Sequence, residues 1–131
     1  MIQSECLGDP WRIVVATLLV IRTTHKVSHP IITAFFSDFP TALSVVNEGE
    51  TALASRFKSL GFQNKRARQV IEASKLFVQR PRHISPGEIK GLGRYGHDVW
   101  RVFVEGDLSV KTKDKALSRH VEEAIANAHG L

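Results

Sequence analysis

The chain has 131 residues, 43% of them hydrophobic and 24% charged, enough to bury one core but not two, so residues 1–131 read as a single domain. Its single cysteine, Cys6, excludes an internal disulfide, a cysteine-rich zinc site and a four-cysteine iron–sulfur cluster. A net charge of +5 and a pI of about 9.7 suit a polyanionic partner.

In chain order, Asp9-Pro10-Trp11 opens the first helix, with the aspartate as N-cap and the proline at the first helical position. The helix is expected to run to about Thr23 and, being apolar nearly all round, to lie at the centre of the fold. Its apolar run Ile13 to Ile21 is too short to cross a bilayer, and Glu5 and Asp9 interrupt any secretory signal. The expected setting is intracellular, nuclear if the source is eukaryotic, with no membrane partner.

A second helix covers about Lys26 to Asp38, with Ile31, Ile32, Ala34, Phe35 and Phe36 on its buried side and Pro40 after its end. Short helices follow at about 41–47 and 50–59, the latter closed by Gly61. Asn64 then caps a helix to about Gln79. Ala67, Val70, Ile71, Ser74, Phe77 and Val78 form its apolar face, and Lys65, Arg66, Arg68 and Gln69 the other.

After an irregular stretch from Pro81 to Pro86, Ser85-Pro86-Gly87-Glu88 has the capping-box pattern and starts a short helical piece, although Gly87 weakens it. Arg94 to Glu105 reads as a helix, against the alternative of a strand hairpin around Gly106-Asp107. The last helix begins near 112–114 and ends near His129. The expected fold is all-α, a compact helical domain.

Basic residues cluster at Lys65-Arg66-Ala67-Arg68, at Arg80-Pro81-Arg82-His83 and at Lys111-Thr112-Lys113-Asp114-Lys115, which serves a nucleic-acid surface or solvated helix faces equally well. No metal or cofactor is expected: among the six histidines only His25 and His29 have ligand spacing, with no carboxylate or cysteine beside them in the sequence.

Gly91-Leu92-Gly93 joins two helices by a minimal turn. Two glycines leave the backbone bare, so its amides and the following helix N-terminus can hold a phosphate oxygen, with Arg94 beside them. An ordinary tight helix connection has the same pattern.

The stretch Ile89-Lys90-Gly91-Leu92-Gly93-Arg94-Tyr95-Gly96-His97-Asp98 resembles the helix–hairpin–helix signature of the DNA glycosylase superfamily that includes endonuclease III. In that superfamily a catalytic aspartate follows about twenty residues later, where Asp114 stands. Gln3, Asp9-Pro10-Trp11, Arg22-Thr23, Leu60-Gly61, the Gly-Leu-Gly-Arg-Tyr-Gly turn and Asp114 with Leu117 most resemble the glycosylase domain of the methyl-CpG-binding thymine glycosylases. The likeness runs through essentially the whole chain.

This resemblance implies a monomeric enzyme of base excision repair acting on double-stranded DNA with a mismatched base, removing thymine or uracil from G·T and G·U pairs. Asp114 would stabilise the oxocarbenium character of the sugar and activate water; read alone it is a helix cap. Tyr95 stands where strand-cutting relatives carry an imine-forming lysine, which implies base removal without lyase activity. Tyr95 and Gln3 would recognise the extruded base, while Arg22 and Phe62, after Leu60-Gly61, would fill the gap left in the duplex. Lys26, Lys111 and Lys113 would contact phosphates, with the hairpin Gly91, Leu92, Gly93 and Arg94 as anchor.

Three alternatives stay open: a non-catalytic helix–hairpin–helix module, a glycosylase for another base such as mismatched adenine, and a helical scaffold with no DNA role. Asp107 is the carboxylate that could replace Asp114.

Overall fold

Local capping chemistry sets where the first helix begins. The Asp9 carboxylate accepts the Arg12 amide at 3.1 Å and Pro10 occupies the first helical position of α1 (Pro10–Val20). The computed structural model describes residues 1–130. Ile13, Val14, Val15, Ala16, Leu18 and Leu19 are all buried, so α1 is a central helix of the core, as its apolar run implies. A 3-10 turn over Ile2–Cys6 packs beside it.

α1 ends three residues earlier than expected. Ile21 is extended and Arg22 has φ +60°, so Arg22 lies in a turn rather than on a helix end. The cause is tertiary: the Arg66 side chain occupies the carbonyls of Leu18, Leu19 and Ile21. Thr24 then caps α2 (His25–Asp38), its hydroxyl accepting the Val27 amide. Phe35, Phe36 and Phe39 of this region join Trp11 and Phe57 in an aromatic cluster, with ring centroids 5.1 to 5.7 Å apart.

α3 (Ala42–Val46) and α4 (Glu50–Arg56) are short, and both pack on α5 (Gln63–Gln79), which also lies against α1. Between α4 and α5 a 3-10 turn (Lys58–Leu60) leads into Gly61, at φ +74°. Asn64 does not cap α5. Phe62 holds that position in the left-handed region, at φ 50° and ψ 37°, because the turn before it is gripped by Arg66 and the chain enters the helix early.

The faces of α5 also differ from expectation at two residues. Arg66 is buried on the same stripe as Val70, Ala73 and Phe77, whereas Val78 is 43% exposed. Ser74 on that side accepts the Trp11 indole N–H at 2.9 Å.

The capping box at Ser85 forms, with the Glu88 carboxylate accepting the Ser85 amide at 2.9 Å, but it encloses one 3-10 turn (Pro86–Glu88) rather than a longer helical piece. α6 (Gly93–Phe103) ends two residues short of expectation. The strand alternative does not occur, since the described residues contain no strand. Asp107 instead accepts both the Ser109 amide and hydroxyl and pairs with Arg101, folding the chain after Gly106. α7 (Lys115–Ala128) completes an all-α architecture around one core. Among the described residues no helix is long and apolar enough to cross a membrane.

Candidate base-excision site

Gln3, Arg22, Tyr95 and Asp114, scattered through the sequence, line one cleft of about 600 Å³ between the N-terminal 3-10 turn, the end of α1 and the starts of α6 and α7. Each reaches it for a local reason. Gln3 sits on the inner side of the 3-10 turn and Tyr95 lies in the first turn of α6. Asp114 is the N-cap of α7, with Oδ1 accepting the Leu117 amide at 2.9 Å.

Gln3 is 1% exposed, and its hydrogen bonds define its orientation. Thr17 donates its hydroxyl proton to the Ile13 carbonyl at 2.6 Å, so towards Gln3 it can only accept. The Gln3 amide nitrogen therefore donates to Thr17 Oγ1 at 3.3 Å and to the Tyr95 hydroxyl at 3.1 Å. Both amide protons are engaged, leaving Oε1 as the acceptor. The Tyr95 hydroxyl, accepting from Gln3, keeps its own proton to donate.

Burial pushes the Tyr95 pKa above its ordinary value and the Asp114 charge raises it further, against the lowering effect of the Gln3 hydrogen bond. Tyr95 is accordingly a neutral phenol close to the Asp114 carboxylate. Tyr95 and Asp114 also line a second opening of about 700 Å³, whose other walls include Arg94, Asp98, Lys111 and Lys113. The pair thus borders both openings, the second of which carries Arg94, Lys111 and Lys113 on its walls.

At the hairpin, Gly91 and Gly93 have φ +95° and +60°. A Cβ at Gly91 would fall 2.5 Å from the Gln69 side chain, and one at Gly96 would fall 2.6 Å from Leu92. At Gly91 the positive φ is what calls for glycine, since the Gln69 amide end could swing aside for a Cβ. Leu92 and Leu60 are buried, so any contact they make with DNA comes from their main chain. Arg94, Lys111 and Lys113 are exposed around the second opening, whereas Lys26, also exposed, lines neither cleft. Phe62 is 58% exposed, and the Arg22 guanidinium lies 5.9 Å from its ring centroid.

The chain matches the HhH-GPD superfamily of base excision DNA repair proteins over residues 15–127. It belongs to that superfamily. The methyl-CpG-binding domain protein 4-like protein of Arabidopsis thaliana is 26% identical over 120 residues, covering 90% of this chain, which spans about a quarter (26%) of that protein's length. Proteins of that superfamily are described as acting in base excision DNA repair.

Two further residues of this HhH-GPD domain, Thr17 and Arg66, hold side chains or turns that border the clefts. Thr17 looked like one more position of an apolar helix, and nothing local marks it as the partner of Gln3. Arg66 did leave a signal: Arg66, Val70, Ala73 and Phe77 follow helical spacing, which puts the arginine on the buried stripe. Asp107 is committed to Ser109 and Arg101 and lines neither cleft.

Proposed function

We propose that residues 1–131 form one domain, a monofunctional DNA glycosylase that removes thymine or uracil from G·T and G·U mismatches and acts as a monomer on duplex DNA. The observation that carries this reading is the polarity of the Gln3–Tyr95 pair. Gln3 Oε1 can accept the single imide N–H of thymine or uracil, and the Tyr95 hydroxyl can donate to a neighbouring base carbonyl. Of the two groups only Gln3 Oε1 can meet the imide N–H, so the assignment to thymine and uracil rests on Oε1 facing that ring position.

Asp114 supplies the chemistry. Leu117 holds one carboxylate oxygen, which fixes the group at the mouth of α7, and the second oxygen remains for the sugar or its attacking water. A carboxylate held there stabilises positive charge developing on the sugar as the base departs. A neutral Tyr95 adds no competing anion. It also carries no amine, so no imine with the opened sugar forms at this position and the product is an intact abasic strand.

A labelled G·T duplex incubated with the protein and then with alkali should be cut at the thymine, with no cut before alkali and none with Asp114→Asn. Absence of abasic sites on every mismatch, with salt-dependent binding retained, would select a non-catalytic DNA-binding module instead. Preference for adenine would remove the role given to Gln3.

A further inference from the structure

A guanidinium carries five N–H donors in a rigid planar fork, and each of those on Arg66 meets a main-chain carbonyl. Nε donates to Gly61 at 2.7 Å; Nη1 donates to Leu18 at 3.1 Å and Leu19 at 3.4 Å; Nη2 donates to Ile21 at 2.8 Å and Leu60 at 3.3 Å. The residue is 4% exposed. The carbonyls belong to two segments distant in sequence, the end of α1 and the turn before α5.

Each segment leads directly into a strained residue. Arg22 follows Ile21 and Phe62 follows Gly61, and these are the two non-glycine residues with positive φ among those described, at 60° and 50°. Such conformations persist only where the surroundings impose them. Their side chains come together at the surface, with Arg22 over the Phe62 ring.

We infer that Arg66 is a positioning residue for base extrusion, a single buried guanidinium that holds the Arg22 and Phe62 turns in the register needed to enter the duplex. The inference rests on the glycosylase reading for its consequence, not for its geometry. Lysine at this position keeps the charge but concentrates its donors at one point, so it cannot span both segments.

The test compares wild type, Arg66→Lys, Arg66→Gln and Arg22→Ala on two duplexes. One carries the target base opposite guanine, and the other opposite an abasic analogue, where extrusion breaks no pair. Single-turnover excision is measured together with the fluorescence of a 2-aminopurine placed beside the target. Both Arg66 variants should lower the paired-to-unpaired rate ratio by about tenfold to a hundredfold and suppress the fluorescence rise, as expected for misplacement of groups that must meet the DNA. Arg66→Lys combined with Arg22→Ala should lose little more than Arg22→Ala alone.

Equal losses on both duplexes would mean that Arg66 serves stability only, and an unchanged ratio would remove the inference. Wild type that raises fluorescence without excising a base overturns the glycosylase reading and leaves the fluorescence comparison to judge Arg66. Wild type that does neither overturns both. Should the variants lose their helical circular dichroism, hydrogen exchange on wild type decides: residues 21–23 and 60–62 should open at one common rate, and separate rates would overturn the clamp.

Discussion

The Gln3 amide nitrogen lies 3.1 Å from the Tyr95 hydroxyl, a bond that joins residues 92 positions apart and closes one wall of the cleft containing Asp114. Its removal should be felt in recognition first. Gln3→Ala leaves Tyr95 and Thr17 without their shared partner, a loss of about 1–3 kcal/mol for a buried group. Thymine and uracil kcat/KM should fall by roughly tenfold to a hundredfold. A mismatch panel in which Gln3→Ala keeps the full wild-type preference would contradict the assignment.

Asp114 has two separable roles. Asparagine is as good an N-cap as aspartate, so Asp114→Asn should change stability by less than about 0.5 kcal/mol while excision falls by about 10³-fold or more. Asp114→Ala should lose the activity and also about 1 kcal/mol, because the Leu117 amide then lacks its acceptor. Urea unfolding alongside single-turnover assays separates the two.

Phe62 opposes stability to function. Its left-handed backbone costs about 1–2 kcal/mol, and its exposed ring recovers little of that. Glycine relieves the strain at an entropic cost of roughly 0.5–1 kcal/mol. Phe62→Gly should therefore melt at or slightly above wild type yet excise more slowly from a paired duplex. A variant that is clearly less stable would contradict this account of the turn.

Two groups give opposite pH limbs. Hydrogen bonds from the Ser109 hydroxyl and amide, then from Arg101, hold Asp107 at about 2 instead of its ordinary 3.8. A depressed carboxylate contributes stability that is present above the unfolded value near 4 and lost as pH falls toward about 2. Asp107→Asn should flatten the acid limb of stability between those pH values, as measured by urea unfolding. Burial, then the Asp114 charge, raise Tyr95, so its contribution is complete below about pH 10 and is lost as pH rises through its folded value. Tyr95→Phe should flatten the alkaline limb.

Arg94, Lys111 and Lys113 line the basic opening beside Tyr95 and Asp114. Replacing any one with alanine should weaken binding to matched and mismatched DNA alike and reduce the slope of log K against log salt by about one. An effect confined to mismatched DNA would assign that residue to base recognition instead.

The elements that residues three or four apart can define were legible in the sequence. Asp9 and Asp114 cap the helices expected of them, Ser85 and Glu88 form their box, and the apolar periodicity of α1 and α5 marks the core. The hairpin and its likeness to helix–hairpin–helix enzymes were equally readable, because two glycines and a short turn are local constraints. Gly91 has φ +95°, a backbone conformation that favours glycine, a requirement the sequence could express but not explain.

Tertiary structure decided what local patterns cannot carry. Whether Gln3 meets Thr17 and Tyr95 depends on how a 3-10 turn lies against α1 and α6, and no nearby residue encodes that. Arg66 read as solvent-facing because arginine is costly to bury. Its burial is possible only once the end of α1 and the turn before α5 leave five carbonyls converging on one point. The same convergence stops α1 at Val20 and lets Arg22 and Phe62 adopt backbone angles that neither would take alone. The sequence thus determined the helices and the chemical groups at their ends. Long-range satisfaction of buried polar groups determined how those groups meet.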